Sequence, residues 1–171
     1  VLYAGNLQPE KGLDSICSAI KIFNKNIPSK KITLDVYGIP FQKLIEIKDQ
    51  IKYKGILNYE NRLEVMSRYD FLIIASRSEG MPMILIECLA IGLPFITSKV
   101  GAIEDILIND YPYTCSPDSR SILKSIERII YDIDNKQEKL KRIIALGHDL
   151  YINKFQFIQF YQNIKNKILN N

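Results

Sequence analysis

The stretch from Phe71 to Thr97 constrains the fold of this chain more than any other. Phe71-Leu72-Ile73-Ile74 is an apolar run of strand length. A polar turn holding Glu79 and Gly80 follows, then Pro82, a residue suited to the first turn of a helix. From Met83 to Ile91 the only charged residue is Glu87, so a helix there is apolar nearly all round and belongs inside the protein. Pro94-Phe95-Ile96-Thr97 closes the unit as a second apolar run. Strand, turn, buried helix and strand in this order make the crossover unit of a parallel sheet.

The same alternation runs along the rest of the chain. Val1–Ala4 reads as a strand and Gly5–Gly12 as a turn with glycine at both ends. Leu13, Ile16, Cys17, Ile20 and Phe23 form one face of a helix that ends before Pro28. Ile32–Tyr37 is predicted as a strand stopping at Gly38, Phe41–Gln50 as a short helix, and Ile51–Lys54 as a strand ending at Gly55. Asn58 is predicted to cap a helix over Tyr59–Arg68, with Leu63 and Met66 facing inward. Val100–Glu104 reads as a turn into a short helix and Tyr111–Cys115 as a last strand. Ser116-Pro117-Asp118 starts a helix striped by Ile122, Leu123, Ile126, Ile129 and Ile130. Two amphipathic helices, 136–147 and 153–168, close the chain.

Short apolar strands, each followed by a helix, imply parallel pairing with right-handed crossovers. The predicted fold is α/β, a doubly wound, Rossmann-like parallel sheet with helices on both faces. Its ligand is expected outside the carboxyl ends of the strands, at Gly5, Gly38, Gly55, Ala75 and Ser98. The 171 residues suit one domain. The chain opens directly on VLYAG, which leads us to expect a domain of a longer protein. No apolar run reaches the ~18 residues of a membrane span. Cys17, Cys88 and Cys115 lack metal-ligand spacing and His148 lacks a partner, so no metal is predicted. Packed thiols fit a reducing cytoplasm. The net charge of +4 reads as a solvated face, with peripheral contact to an acidic membrane surface as the weaker reading. No nucleic-acid motif accompanies it.

A lone carboxylate on an apolar helix needs a buried partner or a polar ligand reaching it from a cavity. Glu87 shares a face with Met83, and that face looks toward the crevice if Pro82 begins the helix. The helix N-terminus at Gly80–Met83 offers free backbone N–H groups to an anion. Glu79 and Glu87 would stand roughly 10 Å apart by helical rise. A retaining hydrolase needs its carboxylates at about 5–5.5 Å, so this spacing suits gripping two parts of one long ligand. Lys11 lies at the same sheet edge, either as a phosphate partner or as a solvated surface residue.

Glu79-Gly80-Met81-Pro82, followed by Glu87-Cys88-Leu89-Ala90-Ile91-Gly92-Leu93-Pro94, resembles the E-x7-E signature of family-four retaining glycosyltransferases. GNLQPEKG resembles that family's first turn, and Gly38, Lys54-Gly55 and Val100–Glu104 match further turns in order. The resemblance covers nearly the whole chain and corresponds to the C-terminal, donor-binding half of a GT-B enzyme. It implies that Glu87 binds the ribose hydroxyls of a nucleotide and that Glu79 lies beside the transferred sugar. The segment Gly80, Met81, Pro82 and Met83 would hold sugar hydroxyls and phosphates through its backbone. Lys11 would neutralise the leaving diphosphate, Gly5, Asn6 and Gly38 would line the donor, and Ile56 and Leu57 would pack near the base. The resemblance also implies a UDP- or GDP-linked sugar donor, no metal or other cofactor, a missing N-terminal acceptor-binding domain and a glycan or lipid-linked acceptor. Surface polysaccharide synthesis, and little turnover by this domain alone, follow from the same likeness. Two positions depart from the family. Asn6 stands where the family has an arginine, with Arg77 as a candidate to compensate, and Pro82 replaces a glycine and so removes an N–H donor. A nucleotide-sugar epimerase and a non-catalytic nucleotide-binding homologue are the alternative readings.

Overall fold

The computed structural model of the chain describes residues 1–39 and 50–156. Six parallel strands form one sheet: β1 (Leu2–Ala4), β2 (Leu34–Tyr37), β3 (Ile51–Gly55), β4 (Leu72–Ile74), β5 (Phe95–Ser98) and β6 (Thr114–Cys115). Their spatial order is β3-β2-β1-β4-β5-β6. The chain therefore winds outward from β1 in one direction, returns to the centre, and winds outward from β4 in the other. Leu2 pairs with Asp35 on one side and with Leu72 on the other. The three central strands, β1, β4 and β5, are buried on both faces, which is why they read as unbroken apolar runs. In β2, only Leu34 and Val36 are fully buried, and the alternation Asp35, Tyr37 points to a wetter face.

The helices are α1 (Leu13–Asn26), α2 (Arg62–Met66), α3 (Met83–Ile91), α4 (Ser119–Asn135) and α5 (Gln137–Leu150). Short 3-10 turns cover Pro9–Lys11 and Gly101–Ile106, and a π-helical turn covers Tyr151–Phe155. The α1 stripe packs on α4, while α3 packs on α2 and α5. Glycine ends α3 at Gly92, whose φ of 70° lies in the left-handed region. Asp118 caps α4 by accepting from Ser121 N at 2.9 Å. The packed thiols of Cys17 and Cys88 are buried, and His148 is exposed on α5. Among the described residues no helix is long and apolar enough to cross a membrane.

Several local expectations are corrected. The helix predicted over Tyr59–Arg68 is only Arg62–Met66, and Asn58 does not cap it. The Asn58 side chain instead accepts from Glu60 N at 3.1 Å, a local turn that competes with helix. Met66 is buried as expected, but Leu63 is 42 % exposed. Pro82 precedes α3 rather than starting it, with an extended ψ of 104°. Tyr111 and Tyr113 lie outside the short β6, yet both rings are buried under the sheet end, where the Tyr111 hydroxyl donates to Phe95 O at 2.7 Å. The predicted helix Phe41–Gln50 falls, apart from Gln50, outside the described residues, as does the last predicted helix beyond Gln156.

Candidate functional site

The topology reverses direction between β1 and β4, and a pocket of about 410 Å³ opens at the carboxyl ends there. Ala4, Gly5 and Asn6 line it from β1, Tyr37 and Gly38 from β2, Ile56 and Leu57 from the turn after β3. The end of β4 supplies Ser76 and Glu79, and the start of α3 supplies Pro82, Met83 and Glu87. Lys11 comes in from the first 3-10 turn and Arg62 from α2. Gly80 and Met81, whose backbone the resemblance put beside the donor, are not among its walls, and the Met81 side chain is exposed.

Close backbone approach builds the floor of this pocket. A Cβ on Gly38 would lie 1.9 Å from Gly5 O, so the ends of β1 and β2 meet only because that position is glycine. Gly12, with φ of 69°, brings the first turn against Ala75 O in the same way. The Tyr3 hydroxyl donates to Asn6 O at 3.1 Å and so fixes the turn that carries Asn6. Burial pushes that hydroxyl's pKa well up, with the charge of Glu79 adding to the shift, so Tyr3 stays a donor.

Among the described residues, two ion pairs face the pocket. Lys11 Nζ lies 2.8 Å from Glu79 Oε2, and Ser76 Oγ donates to Glu79 Oε1 at 2.6 Å. Arg62 Nη2 lies 2.7 Å from Glu87 Oε1, with its guanidinium 4.1 Å from the centre of the Tyr59 ring. Glu87 thus has the charged partner that its apolar helix demanded, but at the pocket wall rather than in the core. Its side chain is 13 % exposed. Burial raises its carboxyl above the ordinary range, and the Arg62 guanidinium pulls it part of the way back. Arg62 and Ser76 were not singled out by spacing. Arg62 sits four residues past Asn58 in a segment read only for its apolar positions, and Ser76 carries no charge to draw notice.

Arg77 does not compensate for Asn6. Its guanidinium turns away to α1, 3.1 Å from Asp14 Oδ2, and it also donates to Pro9 O. Its backbone N–H donates to Glu10 O at 2.7 Å. Arg77 therefore staples the first turn to the end of β4, and among the described residues the cations lining the pocket are Lys11 and Arg62. A second void, about 20 Å³ and walled mainly by apolar groups such as Leu89, Phe95 and Ile143, lies between α3 and α5 and holds no more than a water.

A doubly wound parallel sheet with a pocket at its topological switch point has the fold found in GT-B glycosyltransferases. Residues 1–147 match the family of glycosyl transferases group 1, and the chain belongs to that family. It is 28 % identical over 162 residues to an uncharacterised glycosyltransferase of Methanocaldococcus jannaschii, covering 91 % of this chain and 44 % of that protein. Among solved structures, the C-terminal domain of the group 1 glycosyl transferase LpcC of Francisella tularensis superposes with a TM-score of 0.72 at 24 % identity, covering 91 % of this chain and 86 % of that one. HepE of Anabaena, solved in complex with UDP-glucose, superposes with a TM-score of 0.76 at 15 % identity, covering 99 % of this chain and 49 % of that one. The chain spans less than half the length of the full-length relatives named here.

Proposed function

We propose that this chain is the donor-binding domain of a glycosyltransferase that moves a sugar from a nucleoside-diphosphate sugar to an acceptor with retention of configuration. The observation that carries the reading is the convergence of Lys11, Glu79 and Glu87 on one pocket beside the N-terminus of α3. Charge along the pocket suits such a donor in sequence. Glu87 accepts hydrogen bonds from the ribose hydroxyls at one end, with Ile56 and Leu57 packing on the base. Lys11 and the free N–H groups at the start of α3 face the diphosphate. Glu79 takes hydroxyls of the sugar at the other end. In the reaction the bond from the sugar's anomeric carbon to the phosphate oxygen breaks. A bond from that carbon to the acceptor oxygen forms on the same face, and the acceptor's proton passes to the leaving diphosphate. Lys11 offsets the charge that builds on the departing oxygen.

The acceptor, a glycan or a lipid-linked saccharide of a surface polysaccharide, binds across the cleft on an N-terminal domain outside this chain. The isolated domain accordingly binds donor and turns over little. HepE, solved with UDP-glucose, supports a UDP-linked donor by likeness of fold. A thermal-shift panel of UDP, GDP, UDP-glucose, UDP-N-acetylglucosamine and GDP-mannose tests the reading. At least one is expected to raise the melting temperature, and Glu87→Ala is expected to abolish that rise. No stabilisation by any member of the panel overturns it. Asn6 in place of an arginine, with Arg77 turned to Asp14, favours the non-catalytic homologue as the second reading. Nucleotide affinity without turnover by the full-length protein would select it.

A further inference from the structure

Ser76 stands where β4 runs into the Glu79 turn, and it is fully buried. Its hydroxyl donates to Glu79 Oε1 at 2.6 Å, while Lys11 Nζ reaches Oε2 at 2.8 Å. The Ser76 carbonyl in turn accepts from Ser98 Oγ at 2.6 Å, and Ser98 is itself buried at the end of β5. From the far side, the left-handed turn at Gly101 packs so closely on Glu79 O that a Cβ there would lie 1.9 Å away. One carboxylate is therefore held by two donors of different character. Lys11 is a point charge on a long flexible stem, partly exposed to the pocket. Ser76 is short, enclosed and tied from behind.

These two tethers respond differently to a doubly charged ligand. A diphosphate competes with Glu79 for Lys11, because it offers more charge and more acceptor oxygens. The Ser76 hydroxyl sits at the pocket wall on a short, fully buried side chain already bonded to Glu79, so it is not drawn away. We propose that Ser76 is the positioning residue that keeps Glu79 aimed at the donor's sugar when Lys11 moves to the diphosphate. The proposal rests on the donor-binding reading above. Lys11 Nζ turns to the phosphate oxygens, Glu79 Oε2 becomes an acceptor for a sugar hydroxyl, and Oε1 stays with Ser76. Hydrogen bonds are exchanged, and no covalent bond changes.

Calorimetric titration of the chain with UDP and UDP-glucose, and with GDP and GDP-mannose, tests it, using Ser76→Ala, Glu79→Ala and the double variant. Ser76→Ala is expected to bind the nucleotide-sugar roughly tenfold more weakly while binding the matching diphosphate within about twofold of wild type. In the double variant the loss of Ser76 is expected to add nothing to the loss of Glu79. Ser76→Cys, which keeps the shape of the side chain at slightly larger size but donates weakly, gives the same reading should Ser76→Ala not fold. Equal weakening of sugar-bearing and sugar-free probes would mark Ser76 as merely structural and overturn the proposal. An unchanged ratio between the probes, or full additivity with Glu79→Ala, overturns it too. A wild-type chain that binds neither pair removes the donor-binding reading and this proposal together, whereas a binding wild type with an unaffected Ser76→Ala removes this proposal alone.

Discussion

Lys11 and Glu79 stand 68 residues apart in the chain and 2.8 Å apart across the pocket. That pair joins the turn after β1 to the turn after β4, the two central strands from which the sheet winds outward. It brings together at one pocket the two residues proposed here for the diphosphate and for the sugar.

Lys11→Ala removes the point charge proposed to face the diphosphate and leaves Glu79, with only 10 % of its side chain exposed, bonded to Ser76 alone. Affinity for UDP or GDP is expected to fall about tenfold or more. Folding stability is expected to fall by only about 1 kcal/mol, because the pair is partly solvated. Calorimetry and urea unfolding measure the two effects separately, and a loss of stability without a loss of affinity would contradict the assignment.

Glu87 gives the pocket a pH dependence. Burial raises its carboxyl pKa in the folded chain, and Arg62 opposes that shift. The folded state therefore keeps the proton to higher pH than the unfolded chain does. This linkage favours folding below the ordinary carboxylate range and is lost as pH rises through the raised value. The proposed ligand binding runs the other way, since the charged carboxylate is the better acceptor for the ribose hydroxyls assigned to it. Affinity for UDP is expected to fall as pH is lowered through the raised pKa. Arg62→Ala is expected to move that acid limb to still higher pH, which a titration series between pH 4 and pH 8, spanning roughly the carboxylate and imidazole ranges, would read directly.

Two glycines separate backbone strain from collision. Gly55 has a φ of 86° and, among the described residues, nothing near its missing Cβ, whereas Gly101 has a φ of 58° and Glu79 O 1.9 Å from that point. Gly55→Ala is expected to lower stability by roughly 1–2 kcal/mol through the left-handed backbone alone. Gly101→Ala is expected to lower it by about 2 kcal/mol or more and also to weaken nucleotide-sugar binding, because the Glu79 turn must shift. Equal effects of the two substitutions on binding would refute the link from Gly101 to the pocket.

Asp132 anchors the C-terminal helices. It is 3 % exposed on α4 and accepts from the Tyr113 hydroxyl at 3.0 Å and from Lys139 Nζ on α5 at 2.5 Å. Asp132→Ala strands the buried Tyr113 hydroxyl and is expected to destabilise the fold by about 2 kcal/mol. Asp132→Asn keeps an acceptor for Tyr113 and is expected to lose less. Thermal unfolding of both variants, with UDP binding as a control for the distant pocket, distinguishes a local anchor from a global one.

What could be read from the sequence was what depends on periodicity and on a single unusual residue. The central strands declare themselves because they are buried on both faces, and Glu87 because it interrupts an apolar helix. The bonds between distant segments were not legible. Arg62 reaches Glu87 from a short helix whose apolar positions gave no hint of the pocket, and Arg77 finds Asp14 and Pro9 because the first turn folds back over β4. The Asn58 turn shortened a predicted helix by a local side-chain bond that propensity does not weigh against helix. Gly80 and Met81 were named from the resemblance and from a helix start read at Pro82, whereas the helix begins at Met83.

The reversal of the sheet at β1 also dictates when the pocket can exist. β1 finds β2 nearby in the chain, but its other neighbour, β4, arrives only after the intervening residues up to Leu72 are in place. The pocket draws Gly5 from the first of these strands and Ser76 from beyond the second, so its walls stay apart until that long loop closes. Closing such a loop is slow in conformational search and is repaid only once the long-range contacts form. The nucleotide proposed to bind there would act as a clasp on an assembly already made, prolonging the life of the folded chain and leaving the speed of its formation nearly untouched.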